Sequence, residues 1–284
     1  MSGIKTIAFF GASGGCGMAA LKHSLEAGYV CIALCRNPTK MTDVLPEAQN
    51  PNLVVKKGNA HSVDDVAACL VNPTDPTRLV DAVSFSIGSP LNLAKMTVED
   101  PDVCKNGAAA LLGALEKLRA QGVNGKPRLA IISTTGISDH ARDVPLMQVP
   151  MYHVLLKQPH ADKRVMEQRI VASDEIFTFI RPAFLSDGAQ PEKRIRTGIE
   201  DPKTGVQTKA IGYGISREDV GRWIFEEIFK SGGPNYLRKA VTITWQINKP
   251  PSGIRILRQS TDRIVKAPTK QALASRPSMA TNSV

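Results

Sequence analysis

Three glycines, Gly11, Gly14 and Gly17, stand at the exit of an apolar run in the segment GASGGCG. That spacing suits a main-chain cradle for a diphosphate. Gly11 permits a tight turn off a strand. Gly14 lets the backbone approach an anion with no side chain between them, and Gly17 lets the next helix pack closely on the sheet. Exposed amides and the positive end of that helix then hold the charge. A glycine triplet alone is a weak signal, but this one follows an apolar strand, opens a helix and precedes a second strand from about Tyr29. The second strand ends in CRNPTK, where an NAD site usually carries an acid for the ribose 2′-hydroxyl. Arg36, followed by Asn37 and Lys40, would instead grip a 2′-phosphate in a bidentate fork and stack on adenine. The expected cofactor is NADP(H).

Hydride chemistry also needs a proton source. The candidates are Tyr152, His153, His160 and a water held by Ser133 or Thr134. An unperturbed histidine titrates near ~6.5, which suits His160 to proton transfer; the alternative is a helix-start histidine facing solvent. Tyr152 and His153 read more simply as buried aromatic contacts. Ser138, Asp139 and His140 lie in sequence but outside any GxSxG turn, so they do not read as a nucleophilic triad. Cys16 sits at a helix N-terminus, which lowers a thiol pKa, but a small residue lining the phosphate loop is the more economical reading. Phe184, Leu185 and Trp223 could furnish an apolar wall for a flat substrate, or simply belong to the core.

The elements that must position these residues follow from alternation of short β-branched runs with longer helical stretches. Strands are expected near 4–10, 29–35, 53–57, 80–87, 128–133, 176–181 and 240–245. Helices are expected near 15–27, 62–71, 101–121, 160–173 and 217–230. Ser62 with Asp65, and Ser216 with Asp219, read as N-caps with a short acid in the capping-box position. The fold class is α/β, a Rossmann-like doubly wound parallel sheet with helices on both faces and a small C-terminal substrate-side region. Residues 1–245 form the NAD(P)-binding domain, with substrate-side segments at 136–160 and 182–215. Residues 246–284 read as a basic, flexible tail.

Composition sets the limits. Of the net charge of +10, the tail supplies seven basic residues against the single Asp262, so the body is only modestly basic. Without a recognised binding motif, no specific nucleic acid is expected. No apolar run reaches the ~18 residues that cross a bilayer, so no membrane is expected. Five cysteines without CxxC spacing or a histidine cluster point to reduced thiols in a cytoplasmic setting and to no metal site.

In their order, GASGGCG, CRNPTK, GNAHSVDDV (58–66), ISTTG (132–136), FTFIRPAFLSDG (177–188) and ISREDVGRWI (215–224) resemble the atypical short-chain dehydrogenase/reductases. The closest type is the NmrA-like or NAD(P)H-binding group, which includes enzymes like biliverdin IXβ reductase and accessory oxidoreductases of fungal polyketide pathways. The resemblance spans about residues 4–245. It implies that Gly11, Ser13, Gly14, Gly15, Cys16 and Gly17 line the pyrophosphate and that Arg36 faces the 2′-phosphate. It places Asn59 beside adenine, where aspartate is common, Ser86, Ile87 and Gly88 under the ribose, and Ser133 and Thr134 near the nicotinamide. Lys163 matches the lysine that binds the nicotinamide ribose, but four residues before it stands Pro159 where the family's tyrosine acid would be. The resemblance implies an NADPH-dependent oxidoreductase acting on a small apolar substrate, with Tyr152 or His160 as the acid. The alternatives are a non-enzymatic NADP(H) sensor with a protein partner, favoured by the missing tyrosine, and a cofactor-dependent isomerase or dehydratase.

Overall fold

Alternating apolar side chains in the first strand set the architecture. A computed structural model describes residues 6–46, 49–89, 91–92, 97–150, 152 and 156–246. Strand β1 (Thr6–Phe10) is buried throughout. Ala8 and Phe10 belong to one core cluster with Val66, Leu111, Leu115, Met166 and Ile170. Ile7 and Phe9 belong to the other, with Leu21, Val220, Trp223 and Phe229. Successive side chains of a strand point to opposite faces, so a continuously apolar strand requires cover on both. Each fully buried phenylalanine or leucine contributes about 1.5–3 kcal/mol.

That cover comes from α1 (Gly15–Glu26) on one face and α2 (Val63–Leu70), α3 (Val103–Ala120) and α4 (Lys157–Ala172) on the other. Helix α5 (Arg217–Trp223) runs on as a π-helical stretch, Ile224–Lys230, and packs beside α1. Their approach is close because Gly221 lacks a side chain: a Cβ there would stand 2.3 Å from that of Ala19.

Strands β2 (Val30–Cys35), β3 (Leu53–Lys57), β4 (Ala82–Phe85), β5 (Arg128–Ile132) and β6 (Ile176–Pro182) join β1 in a parallel array. An antiparallel pair, β7 (Ile195–Asp201) and β8 (Gly205–Thr208), and the parallel β9 (Lys239–Trp245) complete it. The order is β8-β7-β9-β6-β5-β4-β1-β2-β3. The chain leaves β1 towards β2 and returns to β4 on its other side, so a crevice opens at the carboxyl ends of β1 and β4, where such sheets bind ligands.

Every expected strand and helix is present, with ends shifted by a few residues. Helix α4 begins at Lys157 rather than near 160. Pro159 then lies in its first turn, where the missing N–H has no intrahelical partner to lose. The segment 182–215, expected on the substrate side, contributes β7 and β8 to the main sheet. The expected capping boxes are half made. Ser62 and Ser216 accept from the amides of Asp65 and Asp219, but Asp65 turns its carboxylate to the Asn59 amide and Asp219 to the Trp245 indole and the Gln190 amide. His153 and the tail beyond Gln246 lie outside the described residues.

Candidate cofactor site

Two of the three glycines of the turn are required by their surroundings, and the third is not. Gly11 has φ +88°, and a Cβ there would stand 2.6 Å from the Ser86 carbonyl oxygen, so both conformation and the adjoining β4 end demand glycine. Gly17 is bare for packing: a Cβ would meet Ser86 Oγ at 2.1 Å and Gly11 O at 2.7 Å. Gly14, by contrast, has extended backbone at φ 179° and nothing within 4 Å of an added Cβ. Among the described residues, no protein atom requires glycine at 14. The open face beside the first amides of α1 is the kind of space an anion would fill, and the residues present therefore fit a dinucleotide diphosphate.

Ser13, Gly14 and Gly15 are exposed, and Cys16 is buried behind them. Burial pushes the Cys16 thiol up to about 12, against the downward pull of Arg217 and Lys163. The helix-end effect expected to activate this thiol is thus overridden by desolvation. Ser86 does not present its hydroxyl outward: Oγ lies 3.2 Å from the Phe10 carbonyl and 3.1 Å from that of Gly11, tying β4 to the turn. Ile87 is buried and its carbonyl accepts from the Cys104 thiol, while Gly88 is exposed. Arg36 is exposed at the end of β2, with no ion pair or hydrogen bond among the described residues. Asn59 is exposed as well, its side-chain oxygen accepting from the His61 amide at 3.1 Å.

At the end of β5, Lys163 Nζ donates to the Ile132 carbonyl at 2.9 Å. The next residue, Ser133, is buried, and its hydroxyl has no partner among the described residues. Thr134 donates to the Thr135 carbonyl. The neighbour of Lys163 explains how α4 is placed. Asp162 is buried and accepts from the Cys104 and Lys105 amides, 2.8 Å each, so a carboxylate on α4 caps the start of α3. Sequence reading missed Asp162, because an acid capping a different helix leaves no local pattern.

Tyr152 is buried, with its hydroxyl 3.3 Å from Thr135 Oγ1, which in turn donates to the Pro182 carbonyl. Burial also raises its pKa above the ordinary tyrosine value. His160 lies against the Tyr152 ring, centroids 5.6 Å apart, and both rings cover Gly136. The Ser138 hydroxyl donates to Glu200, and a His140 ring nitrogen faces the Pro202 carbonyl, so neither activates the other. Trp223 is core, packed on Tyr236, whereas Phe184 is 52% exposed and Leu185 half-buried.

On β6 itself, Arg181 is buried between two carboxylates, with Nε 3.0 Å from Glu167 and Nη1 2.8 Å from Glu200. Burial alone would lower the Arg181 pKa, but the two carboxylates outweigh it and hold the guanidinium charged. This cluster binds α4 to β6 and β7, and it was invisible to pattern reading because its members are 14 and 19 residues from Arg181.

The sheet order, the crevice and the open glycine turn define a Rossmann-like dinucleotide-binding protein. Comparison with known proteins narrows the class. The NAD(P)H-binding family matches residues 11–231, and the chain belongs to that family. It is similar to Reductase pytE of Aspergillus terreus, 38% identical over 263 residues, covering 84% of this chain and 98% of the relative. It is also similar to Oxidase pynE of Aspergillus niger, 33% identical over 278 residues with the same coverages. Among solved structures, a wide-type short-chain dehydrogenase/reductase from Veillonella parvula in complex with NADP aligns at a TM-score of 0.61 and 16% identity, covering 84% of this chain and 94% of that one. ChuY, an anaerobillin reductase of Escherichia coli O157:H7, aligns at 0.61 and 19% identity, covering 87% and 100%. At those identities the structural matches speak for the fold. The sequence relatives place the chain among the oxidoreductases of its family.

Proposed function

We propose that this protein is an NADPH-dependent oxidoreductase that reduces a carbonyl or conjugated system in a small, largely apolar molecule. The observation that carries the reading is one convergence at the carboxyl edge of the sheet. A glycine turn open at Gly14, an ammonium on the Ile132 carbonyl and the buried Ser133 hydroxyl, without a partner among the described residues, meet there. The nicotinamide, when bound, supplies the hydride. Lys163 then orients the cofactor ribose, and Ser133, with Thr134, holds the substrate oxygen or a water. Of the two side-chain acids, His160 is the better proton source. Tyr152 is committed to Thr135, and its raised pKa makes it a weak acid at neutral pH. Arg36, exposed and without a protein partner among the described residues, supports preference for the 2′-phosphate. Five free, buried cysteines support a cytoplasmic setting.

A second reading has one observation in its favour. Pro159 stands where the tyrosine acid would be, and the described tyrosine nearby is tied into the protein. That favours an NADP(H) sensor acting through a protein partner. NADPH consumption, followed optically against quinones, flavins and carbonyl compounds, decides between them. The enzyme oxidises NADPH with at least one acceptor, and Lys163→Ala lowers that rate about 10²-fold by misplacing the ribose. A sensor binds NADP+ and NADPH and consumes neither.

A further inference from the structure

We propose that Arg217 is a second arginine of the cofactor site, gripping the dinucleotide's diphosphate beside the glycine turn, while Arg36 reads the 2′-phosphate. The inference rests on the cofactor reading above. Arg217 is the first residue of α5, which packs along α1, so the helix pair itself carries the side chain to the turn. Its Cδ lies 3.6 Å from where a Cβ on Gly15 would stand. A side chain at 15 would therefore meet the arginine stem. The charge arrives as well: among the groups that pull the Cys16 thiol down, Arg217 is the strongest, ahead of Lys163.

The partner of the guanidinium is the second half of the argument. Arg217 Nη1 pairs with Asp187 at 2.7 Å, and Asp187 is 82% exposed. An ion pair so open to water is weakly held. A planar fork beside the amides of the glycine turn can exchange such a carboxylate for a phosphate, which it binds by charge-assisted hydrogen bonds. The competing explanation is structural: the pair merely ties the chain after β6 to α5. That explanation treats Arg217 and Asp187 as equivalent halves, whereas phosphate binding does not.

Calorimetric titration of NADPH into the full chain, its Arg217→Gln and Arg217→Lys variants and Asp187→Asn separates the two. Arg217→Gln is expected to weaken NADPH at least about ten-fold, with NADH weakened by the same factor. Adenosine 2′-monophosphate, which has no diphosphate, should bind as before. Asp187→Asn should bind NADPH as wild type or more tightly, since a competing carboxylate has gone. The proposal is overturned if Arg217→Gln loses less than about five-fold, or if Asp187→Asn loses as much as Arg217→Gln. Should Arg217→Gln melt below the assay temperature, Arg217→Lys, which keeps the charge but not the fork, is judged by the same criterion. A wild-type protein that binds no dinucleotide sinks the cofactor reading itself, a result distinct from a silent Arg217 variant in a binding protein.

Discussion

In the function proposed above, Arg36 carries the choice between the two nicotinamide dinucleotides. It is an exposed cation with no protein partner among the described residues, so removing it should cost the fold little. Arg36→Ala is expected to weaken NADPH about ten-fold or more while leaving NADH nearly unchanged. Dissociation constants for both cofactors check this, and an unchanged ratio would refute the 2′-phosphate assignment. Cys16 makes the opposite kind of prediction. With its thiol pushed up to about 12 by burial, it should resist alkylation at pH 8 in the folded protein and react only on denaturation. Mass spectrometry of iodoacetamide-treated samples reads this directly. The glycine turn and the exposed position of Arg36 after β2 were legible from spacing, whereas Lys163 was singled out by the family resemblance. Of the two readings of Cys16 the lowered thiol pKa fails, because helix-end electrostatics is visible in a sequence and the depth of burial is not. Asp162 was missed for a related reason: it acts on an element remote from its own.

At the scale of elements, the site depends on two polar joints. Asp162 fixes α4 to the start of α3 and so places Lys163 under the end of β5. Asp162→Ala leaves two amides and a buried pocket unsatisfied, and should lower stability by about 1–3 kcal/mol in denaturant unfolding. The second joint is Arg181 with Glu167 and Glu200. Arg181→Met leaves two buried carboxylates uncompensated and should cost about 3–5 kcal/mol. If the same measurement shows Arg181→Met to be neutral, the cluster does not hold α4 to β7. The antiparallel β7–β8 pair was the part of the sheet least legible in sequence. IRTGIED carries charges and a glycine where a strand pattern would alternate, and only pairing with β9 and the buried Glu200 contact make it a strand. The parallel strands were legible because burial on both faces leaves near-continuous apolar runs.

For the whole molecule, acid stability is set partly at that edge. Lys239, first among several partners, holds Asp201 down to about 2 from 3.8. As pH falls the unfolded chain takes up this proton first. The stabilisation is complete above about pH 4 and is lost between about 4 and 2. Lys239→Met should remove that part of the acid sensitivity, so that melting curves of variant and wild type converge at low pH; parallel curves would refute it. No helix among the described residues is long and apolar enough to cross a membrane. The central claim is that the opening at Gly14 belongs to an anion, not to the fold. Gly14→Asp tests it with least ambiguity, because aspartate is a favoured helix N-cap, nothing lies within 4 Å of the new Cβ, and its charge opposes a diphosphate. Calorimetry should show wild type binding NADPH and Gly14→Asp, melting at an equal or higher temperature, binding none. Undiminished NADPH binding by a folded Gly14→Asp protein, or no heat from wild type, would contradict the account.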